Sequence, residues 1–336
     1  MRRRDLPTEF HATAPVRVDL AGGWTDVAPF STREGGVAVN AAIRLAVHVE
    51  LKLGGKGIRL AALDLGVELE CASAGELTLD GQLMLHKAAL RMFPVQSACA
   101  LTTRSDTPPG SGLGTSGALD VALVAALTRA RGEHLAPQEM AEQGWYLETV
   151  EARIPGGKQD QLAAALGGFH RLTFRDPDVG VESITLDPAF AGALERQALL
   201  CYTGTSRVSG ATIARVMEAY ERKESRVTGA LRAIKDTAEA VAEALRAADL
   251  ARVAGLIAQN WRYQQELDPE MRTDDMARLE QAMSAAGALG GKAVGAGAGG
   301  CMLFVVRDAR AARDAAREAG ATTLPLAWAR EGVRAW

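Results

Sequence analysis

The chain has 336 residues, a formal net charge of −3 and a sequence pI near 6.0. At about 100–200 residues per domain, this length predicts two domains. The hydrophobic fraction of 48 % is typical of a folded globular protein and excludes a disordered chain. Mild acidity argues against a general binder of nucleic acid or membrane surfaces, which presents a concentrated basic face. No apolar run approaches the ~20 residues of a membrane span, and the N-terminus lacks the apolar stretch of a secretory signal, so we expect a cytoplasmic protein.

Cysteine and histidine do not form a metal-binding pattern. Cys71, Cys99, Cys201 and Cys301 lie far apart, each in an apolar stretch. This spacing favours buried free thiols over disulfides or a zinc site. The five histidines are dispersed, without a His-x-x-x-His pair.

The predicted elements alternate between strands and helices at both ends of the chain, with a helical stretch between them. In chain order, the first half has strands at 10–20 and 36–53, two short strands within 58–71, a helix at 81–92, a strand at 98–103, helices at 118–131 and 136–152, a helix at 161–166, and a strand at 168–174. The second half has a strand at 196–203, helices at 207–224, 227–247, 249–265 and 273–287, strands at 292–294 and 301–306, a helix at 308–319, and strands at 322–328 and 333–335. The fold class is therefore α+β. The change of character near Asp176-Pro177-Asp178 predicts a boundary between domains 1–185 and 186–336.

The glycine-rich segment 108–118 joins a predicted strand to a predicted buried helix. Its alternating glycines leave backbone N–H groups free to wrap an anion. A helix beginning near Ser116 adds its unpaired amides and the positive end of its dipole. Thr115 and Ser116 add hydroxyls that can bind a phosphate oxygen or its metal ion. A tight turn alone would need fewer of these features, so the segment predicts a phosphate-binding loop.

Two well-known phosphate motifs do not apply. The chain has no Gly-x-x-x-x-Gly-Lys-Ser/Thr loop. Gly112-x-Gly-x-x-Gly117 and Gly295-x-Gly-x-x-Gly300 match the dinucleotide fingerprint, but neither lies in a strand–helix–strand unit. A Rossmann dehydrogenase is therefore disfavoured. Segment 295–300 has more small residues than a hairpin requires, which favours a cleft where backbone approaches a ligand.

A third glycine-rich stretch, Ile154-Pro-Gly-Gly-Lys-Gln-Asp-Gln161, separates two predicted helices. Asp160 could simply cap the helix that follows, and Glu148 and Glu151 on the preceding helix could face solvent. Together with a phosphate cradle and hydroxyls, however, these acids and Lys158 supply the parts of a phosphoryl-transfer site: a metal carboxylate, a base and a cation.

The N-terminal segment Pro15-Val-Arg-Val-Asp-Leu-Ala-Gly-Gly-Trp-Thr-Asp26 adds the last candidate group. Arg17 and Asp19 share one side of a strand. The Gly22-Gly23 turn then presents Trp24 and Asp26, and an aromatic ring beside a carboxylate suits a sugar.

These blocks, in this order, resemble the kinases of the galactokinase, homoserine kinase, mevalonate kinase and phosphomevalonate kinase superfamily, the GHMP kinases. Val18-Asp-Leu-Ala-Gly-Gly-Trp-Thr-Asp26, Gly156-Gly-Lys-Gln-Asp-Gln161 and Tyr202-Thr-Gly-Thr-Ser-Arg207 are most similar to the bacterial D-glycero-D-manno-heptose 7-phosphate kinases. Those enzymes phosphorylate the anomeric hydroxyl of a sugar phosphate on the way to activated heptose for capsule or lipopolysaccharide. The resemblance implies a two-domain GHMP kinase fold, with a ribosomal-protein-like N-terminal domain, a ferredoxin-like C-terminal domain and the active site in the cleft between them.

The resemblance also implies roles for individual residues. Asp160 would accept the proton of the attacking hydroxyl, and Arg17 would orient it. Mg²⁺ would be held by Ser116 and Glu148, which is chosen over Glu151 because it precedes Asp160 by the family's twelve residues. The loop that holds the ATP phosphates would be Pro109, Gly110, Ser111, Gly112, Leu113, Gly114, Thr115 and Ser116. The substrate would contact Asp19, Gly23, Trp24, Asp26, Lys158, Gln159, Arg207, Gly297 and Lys292.

A phosphorylated substrate needs a distal cation, for which the candidates are Lys158, Arg207 and Lys292. Each could equally be an ordinary surface cation. Two alternatives stay open: a GHMP kinase for an unphosphorylated sugar such as fucose, and a catalytically silent regulator that binds sugar and ATP. Galactokinases have Glu-His where this chain has Gly23-Trp24, which disfavours galactose. Only small-molecule partners are expected, with no nucleic acid or membrane, and a homodimer is left open.

Overall fold

The computed structural model describes residues 8–95, 98–204 and 209–336, which form two β-sheets with helices packed against them. The described strands are β1 (Glu9–Ala21), β2 (Gly36–Leu53), β3 (Ile58–Ala62), β4 (Val67–Cys71), β5 (Cys99–Ser105), β6 (Phe169–Arg175), β7 (Asp178–Ser183), β8 (Ala198–Tyr202), β9 (Ala288–Ala293), β10 (Cys301–Val306), β11 (Thr322–Leu324) and β12 (Arg334–Ala335). The described α-helices are α1 (Phe30–Glu34), α2 (Met84–Met92), α3 (Thr115–Ala130), α4 (Pro137–Tyr146), α5 (Gln159–Leu166), α6 (Pro188–Gln197), α7 (Ser209–Glu221), α8 (Ser225–Arg246), α9 (Leu250–Gln265), α10 (Asp274–Ala285) and α11 (Ala309–Glu318). A 3₁₀ turn spans Ala74–Glu76, and a π-helical turn, Leu147–Glu151, continues α4.

The first sheet has the order β12-β1-β2-β5-β3-β4, with β6 pairing to β2 and β7 to β6. Its pairs are antiparallel except for β3 and β5. Along β1 the alternation of exposure ends after Ala14, and from Pro15 onward both faces are covered. Because residues two apart share a face, this strand carries Arg17 and Asp19 together into the interior.

The second sheet has the order β11-β8-β10-β9 and is antiparallel throughout. Strand β10 is buried on both faces: its odd residues pack into one apolar core and its even residues into another. The larger core contains residues of both sheets, with α3, α8 and α9 packed between and around them. The two halves of the chain therefore share one interior.

The end of the described chain returns to the first sheet. Thr13 pairs with Arg334, and His11 and Trp336 exchange both backbone hydrogen bonds at 3.0 Å. Trp328 packs edge-to-face on Phe169, with ring centroids 4.8 Å apart. The boundary predicted after residue 185 falls between β7 and α6 and stays a prediction, whereas these last residues lie on the sheet of the N-terminal half.

The predicted α+β class is confirmed, with several local differences. The sequence analysis missed β7 and α6, and Asp176 and Pro177 form the turn of the β6–β7 hairpin. The helix predicted at 136–152 changes to a π-helical turn at Leu147. All four cysteines are free; Cys99, Cys201 and Cys301 are buried as predicted, but Cys71 is only partly buried. Among the described residues, none of the helices is long and apolar enough to cross a membrane.

Candidate active site

A cavity of about 350 Å³ lies where the two halves meet. Four segments supply most of its walls: the phosphate-loop residues from Gly110 to Ser116, the turn after β1, the loop between the π-helical turn and α5, and the start of the glycine-rich loop after β9. Strand β1, the π-helical turn, the start of α5 and helix α7 add further residues. The segments singled out from the sequence are thus brought together around one space.

The phosphate loop has the backbone that its glycines predict. Gly110, Gly112 and Gly114 have φ of 66°, 75° and 73°, a region that side-chain-bearing residues rarely adopt. Gly114 is the N-cap of α3, which begins at Thr115, and the first amides of a helix have no intrahelical acceptors. The loop and the helix start therefore form the anion cradle expected from the sequence.

Contacts separate the loop residues into ligand-facing and anchoring groups. The Thr115 hydroxyl hydrogen-bonds the Thr107 hydroxyl at 2.8 Å, whereas Ser116 lines the cavity together with Glu148. Leu113 is fully buried and its carbonyl accepts from the Arg17 amide at 2.9 Å. The Pro109 carbonyl accepts from the Tyr202 hydroxyl at 3.4 Å. Leu113 and Pro109 do not line the cavity and instead hold the loop in place.

The second glycine loop supports the first. The Cys301 amide donates to the Ser111 carbonyl at 2.7 Å. A Cβ at Gly295 would lie 2.5 Å from the Gly112 carbonyl oxygen, so only glycine permits this approach. Gly295 and Ala296 line the cavity, but Gly297 faces Met271 and does not. Gly297 therefore lies outside the cavity wall, which its two predecessors form, so the structure does not favour the predicted substrate contact at Gly297.

Glu148 lies on the π-helical turn, and such turns often occur at functional sites. The side chain is 7 % exposed and lines the cavity, unlike Glu151. Burial, and to a smaller extent the nearby Asp160 charge, raise the pKa of Glu148 to about 7, against the opposing effect of the polar Ser116 and Gln161 side chains. Glu148 also accepts from Gln161 Nε2 at 2.7 Å. A carboxylate held in this way lacks a cationic partner among the described residues.

Asp160 is held by Arg17 through two parallel hydrogen bonds, Nε to Oδ1 at 2.8 Å and Nη2 to Oδ2 at 2.9 Å. Arg17 Nη1 donates to the carbonyls of Gly112 at 2.6 Å and Val294 at 2.9 Å. Burial lowers the pKa of Arg17, but the Asp160 charge and hydrogen bonds outweigh it and the net shift is upward. Asp160 lies in the first turn of α5, whose N-cap is Lys158, so the capping role considered from the sequence is wrong.

Two glycines let Asp160 approach the start of α3. A Cβ at Gly117 would lie 2.6 Å from the Asp160 Cβ, and one at Gly114 would lie 3.1 Å from the Asp160 carboxyl carbon. The glycine spacing of the phosphate loop therefore also determines where the carboxylate on α5 can lie.

Asp26 is buried at the end of the turn after β1 and faces Gln159. The Gln159 amide donates to Asp26 Oδ2 at 3.3 Å and its side-chain Nε2 to Oδ1 at 3.4 Å. Burial, together with the nearby Asp160 charge, raises the pKa of Asp26 to about 7. Trp24 lines the same end of the cavity with φ of 84°, and the indole Nε1 has no partner among the described residues.

Two of the three predicted substrate cations, Lys158 and Lys292, lie in the described part of the chain, and neither lines the cavity. Lys292 is fully buried and paired with Asp19, with Nζ to Oδ2 at 2.5 Å, so its prediction as a phosphate ligand is wrong. Lys158 faces Trp145, with Nζ 4.4 Å from the ring centroid, and lines a separate cavity near Pro177. Arg207 lies outside the described residues. Gly23 and Asp19 line the cavity, and their contact with a substrate stays a prediction. Among the described lining residues, Arg17 alone is cationic.

Sequence reasoning missed two polar residues behind Glu148. Gln161 Nε2 also donates to Asp120 Oδ2 at 3.3 Å, and Asp120 is completely buried. Burial raises the pKa of Asp120 well above its usual value, and the Glu148 charge adds to the effect. A single acid in the otherwise apolar run of α3 was the available signal. Ile154, Gly156 and Gly157 of the third glycine-rich stretch also line the cavity, as does Ile213, which the sequence analysis did not single out.

Comparison with known proteins gives one consistent family. Residues 83–168 match the GHMP kinases N terminal domain, and residues 241–323 match GHMP kinases C terminal. The chain is 30 % identical over 335 residues to a D-glycero-alpha-D-manno-heptose 7-phosphate kinase of Campylobacter jejuni, covering 96 % of this chain and 97 % of that protein. It is 27 % identical to the bifunctional fucokinase/GDP-fucose pyrophosphorylase of Arabidopsis thaliana, over 92 % of this chain and 31 % of that protein.

Solved structures agree with the sequence matches. A D-glycero-D-manno-heptose 1-phosphate kinase from Bacteroides thetaiotaomicron superposes with a TM-score of 0.80 at 27 % identity, covering 97 % of this chain and 98 % of that one. A Lactococcus lactis galactokinase complexed with galactose superposes with a TM-score of 0.77 at 20 % identity, covering 97 % and 95 % of the two chains, a likeness of fold alone.

Proposed function

The chain belongs to the GHMP kinase family, and on that premise we propose that it transfers the γ-phosphate of ATP to the anomeric hydroxyl of D-glycero-D-manno-heptose 7-phosphate. The product would be the 1,7-bisphosphate. The observation that supports this reaction is the convergence of the amide cradle, Glu148 and the Arg17–Asp160 pair on one cavity. The choice of heptose rests on the similarity to the Campylobacter and Bacteroides kinases.

The mechanism follows from positioning and charge. Phosphoryl transfer needs in-line alignment and neutralised charge far more than covalent assistance. The amides of the phosphate loop would hold the transferring phosphates. Asp160, fixed in orientation by two hydrogen bonds from Arg17, would take the proton of the attacking hydroxyl at a carboxylate oxygen. Arg17 would also offset the charge that the phosphates bring.

Ser116 and Glu148 fit a magnesium ion. Both side chains line the cavity beside the phosphate loop, and both are oxygen ligands of the kind that Mg²⁺ prefers. Burial without a cation disfavours the ionised form of Glu148, which a bound cation would stabilise. Bound there, Mg²⁺ would neutralise charge on the β- and γ-phosphates.

The sugar end of the cavity is built by Trp24, Asp26 and Gln159. The Asp26 carboxylate can accept hydrogen bonds from sugar hydroxyls, and the indole face of Trp24 can pack on sugar C–H groups. A Cβ at Gly157 would lie 1.8 Å from Asp26 Oδ2, so glycine is needed for the loop to close over this acid. This end therefore supports a polyhydroxyl substrate.

A kinase for an unphosphorylated sugar is the second candidate. The observation in its favour is that Arg17 alone is cationic among the described lining residues, and its donors are already committed to protein acceptors. The similarity to fucokinases supports the same reading. Arg207, outside the described residues, is the remaining predicted ligand for a distal phosphate.

ADP release with matched sugars tests the substrate. D-glycero-D-manno-heptose 7-phosphate, the same heptose without its phosphate, and L-fucose should be compared at equal concentration. We expect the phosphorylated heptose to have the highest kcat/KM, and Arg207→Met to raise its KM without changing turnover of unphosphorylated sugar. A higher kcat/KM for either unphosphorylated sugar would establish the second candidate. Binding of both ligands without turnover would identify a regulator. We also propose that the protein is cytoplasmic, and a homodimer stays a proposal.

A further inference from the structure

The buried pair Asp19–Lys292 lies at the wall of the cavity, which Asp19 helps to line, and is made by opposite ends of the chain. Asp19 is on β1, 2 % exposed, and Lys292 is on β9, with no exposure. Lys292 Nζ donates to Asp19 Oδ2 at 2.5 Å and to the Asp19 carbonyl at 2.9 Å. A Cβ at Gly23 would lie 2.6 Å from the same Oδ2, so the turn above the pair must be glycine.

Removing either charge of such a pair is costly. Burial lowers the pKa of Lys292 and the Arg17 charge lowers it further, while Asp19 raises it. Two buried cations, Arg17 and Lys292, thus lie near each other with Asp19 beside both. A buried charge that loses its partner must find another or lose its ionisation.

Arg17 is the neighbour that an unpaired Asp19 would affect. The two residues share a face of β1, and the Asp19 charge already acts on Arg17 to raise its pKa. The orientation of Asp160 depends on two donors of the same guanidinium. A carboxylate without its lysine would compete with Asp160 for those donors.

We propose that Lys292 is a positioning residue, which neutralises Asp19 so that the Arg17 guanidinium is left to orient Asp160. This inference rests on the proposed function, because it gives Asp160 the role of base. It also decides between two roles that the sequence left open for Lys292: the lysine is the buried countercharge of Asp19 and not a ligand of the substrate phosphate.

A double-mutant cycle tests the proposal. Lys292→Met should lower kcat by about 10²-fold, the loss expected from misplacing a reacting group by ~1 Å, with KM for ATP little changed. Asp19→Asn combined with Lys292→Met removes both charges and should recover most of the kcat lost in Lys292→Met; because Asp19 also lines the cavity, any change in the KM for sugar is measured separately. If Lys292→Met does not fold, the kcat of the double variant is compared with that of the wild type: a kcat near wild type supports the proposal, and a loss of about 10²-fold overturns it. A wild-type kcat in Lys292→Met, or a double variant no better than the single one, overturns the proposal.

The matched control is Lys87, a second buried lysine, which lies on α2 and does not line the cavity. Its Nζ donates to the Asp80 carbonyl at 2.8 Å. Lys87→Met should lose stability in thermal unfolding but keep kcat; an equal loss of kcat would show that any missing buried lysine has this effect. The cycle is read with any sugar that the wild type phosphorylates, so failure of the heptose assignment does not affect it. Full activity of Asp160→Asn would instead refute the proposed role of Asp160.

Discussion

Gly117 gives a direct test of whether the position of Asp160 matters for turnover. Its φ is not in the left-handed region, so alanine can adopt the backbone, and alanine is favoured over glycine in a helix by about 1 kcal/mol. The added Cβ, however, would lie 2.6 Å from the Asp160 Cβ, where ordinary contacts are 3.4–4 Å. Helix α5 must therefore move by about 1 Å away from α3.

A shift of this size should be visible in catalysis rather than in stability. Displacement of a reacting group by ~1 Å can cost about 10²-fold in rate. We expect Gly117→Ala to lower kcat by that order, measured by coupled ADP release, while the KM for ATP changes little. The gain in helix propensity offsets part of the steric cost, so the thermal midpoint should change by only a few degrees.

Gly229 is the matched control, because it lies within α8 and a Cβ there would meet nothing within 4 Å. Gly229→Ala should raise stability by about 0.5–1 kcal/mol and leave kcat unchanged. Wild-type kcat in Gly117→Ala, with the protein folded, would refute the argument that the glycine spacing of the phosphate loop positions Asp160.

Three further predictions concern the acids of the cavity. Asp160→Asn should lower kcat by about 10²–10⁴-fold, the usual contribution of a general base, with nucleotide affinity by calorimetry little changed; an activity near wild type would contradict its role. Gly157→Ala should raise the KM for sugar by displacing Asp26, while KM for ATP stays constant; an equal rise in both would point to general disruption. Burial raises the pKa of Asp26 and of Glu148 to about 7 in the folded state, so the stability that their protonation supplies is present below pH ~4 and lost as pH rises through 7. The free energy of unfolding of the double variant Asp26→Asn/Glu148→Gln, minus that of the wild type, should therefore grow by a few kcal/mol between pH 4 and 7. Urea unfolding without ligands measures it, and a difference that is constant with pH would contradict these shifts.

The phosphate loop could be predicted because its signal is local. Three alternating glycines need only neighbouring residues to adopt positive φ, and the helix after them is plain in the sequence. Asp160 could be selected because it lies in the third glycine-rich stretch, Ile154–Gln161. Its exact placement against Gly117 is tertiary, and spacing alone left helix capping open.

The roles of the lysines could not be predicted for the same reason. Whether Lys292 meets a ligand or a carboxylate depends on β9 approaching β1, two strands 267 positions apart in sequence, between Ala21 and Ala288. Lys158 is next to residues of the cavity, yet as the N-cap of α5 it faces Trp145. A cation beside a glycine-rich loop therefore does not by itself indicate a phosphate ligand.

Two missed elements differ in how much signal they carried. Helix α6 has a clear start, since Asp187 Oδ1 accepts from the amides of Ala189 and Phe190 at 2.9 and 3.0 Å and Pro188 follows the cap. Strand β7 is mostly exposed and contains Gly180, so its hydrophobic alternation is weak. The first could have been found from capping residues; the second depends on its pairing with β6.

The pairing of Thr13 with Arg334 has a consequence for how the protein is made. Contacts that span nearly the whole sequence close late, because the loop between them must first be ordered. During synthesis the edge of β1 is without its partner until the last residues of this sequence leave the ribosome. Nascent chains should thus pass through a stage in which the first sheet is open at that edge, the stage at which a chaperone or a neighbouring nascent chain could pair with it.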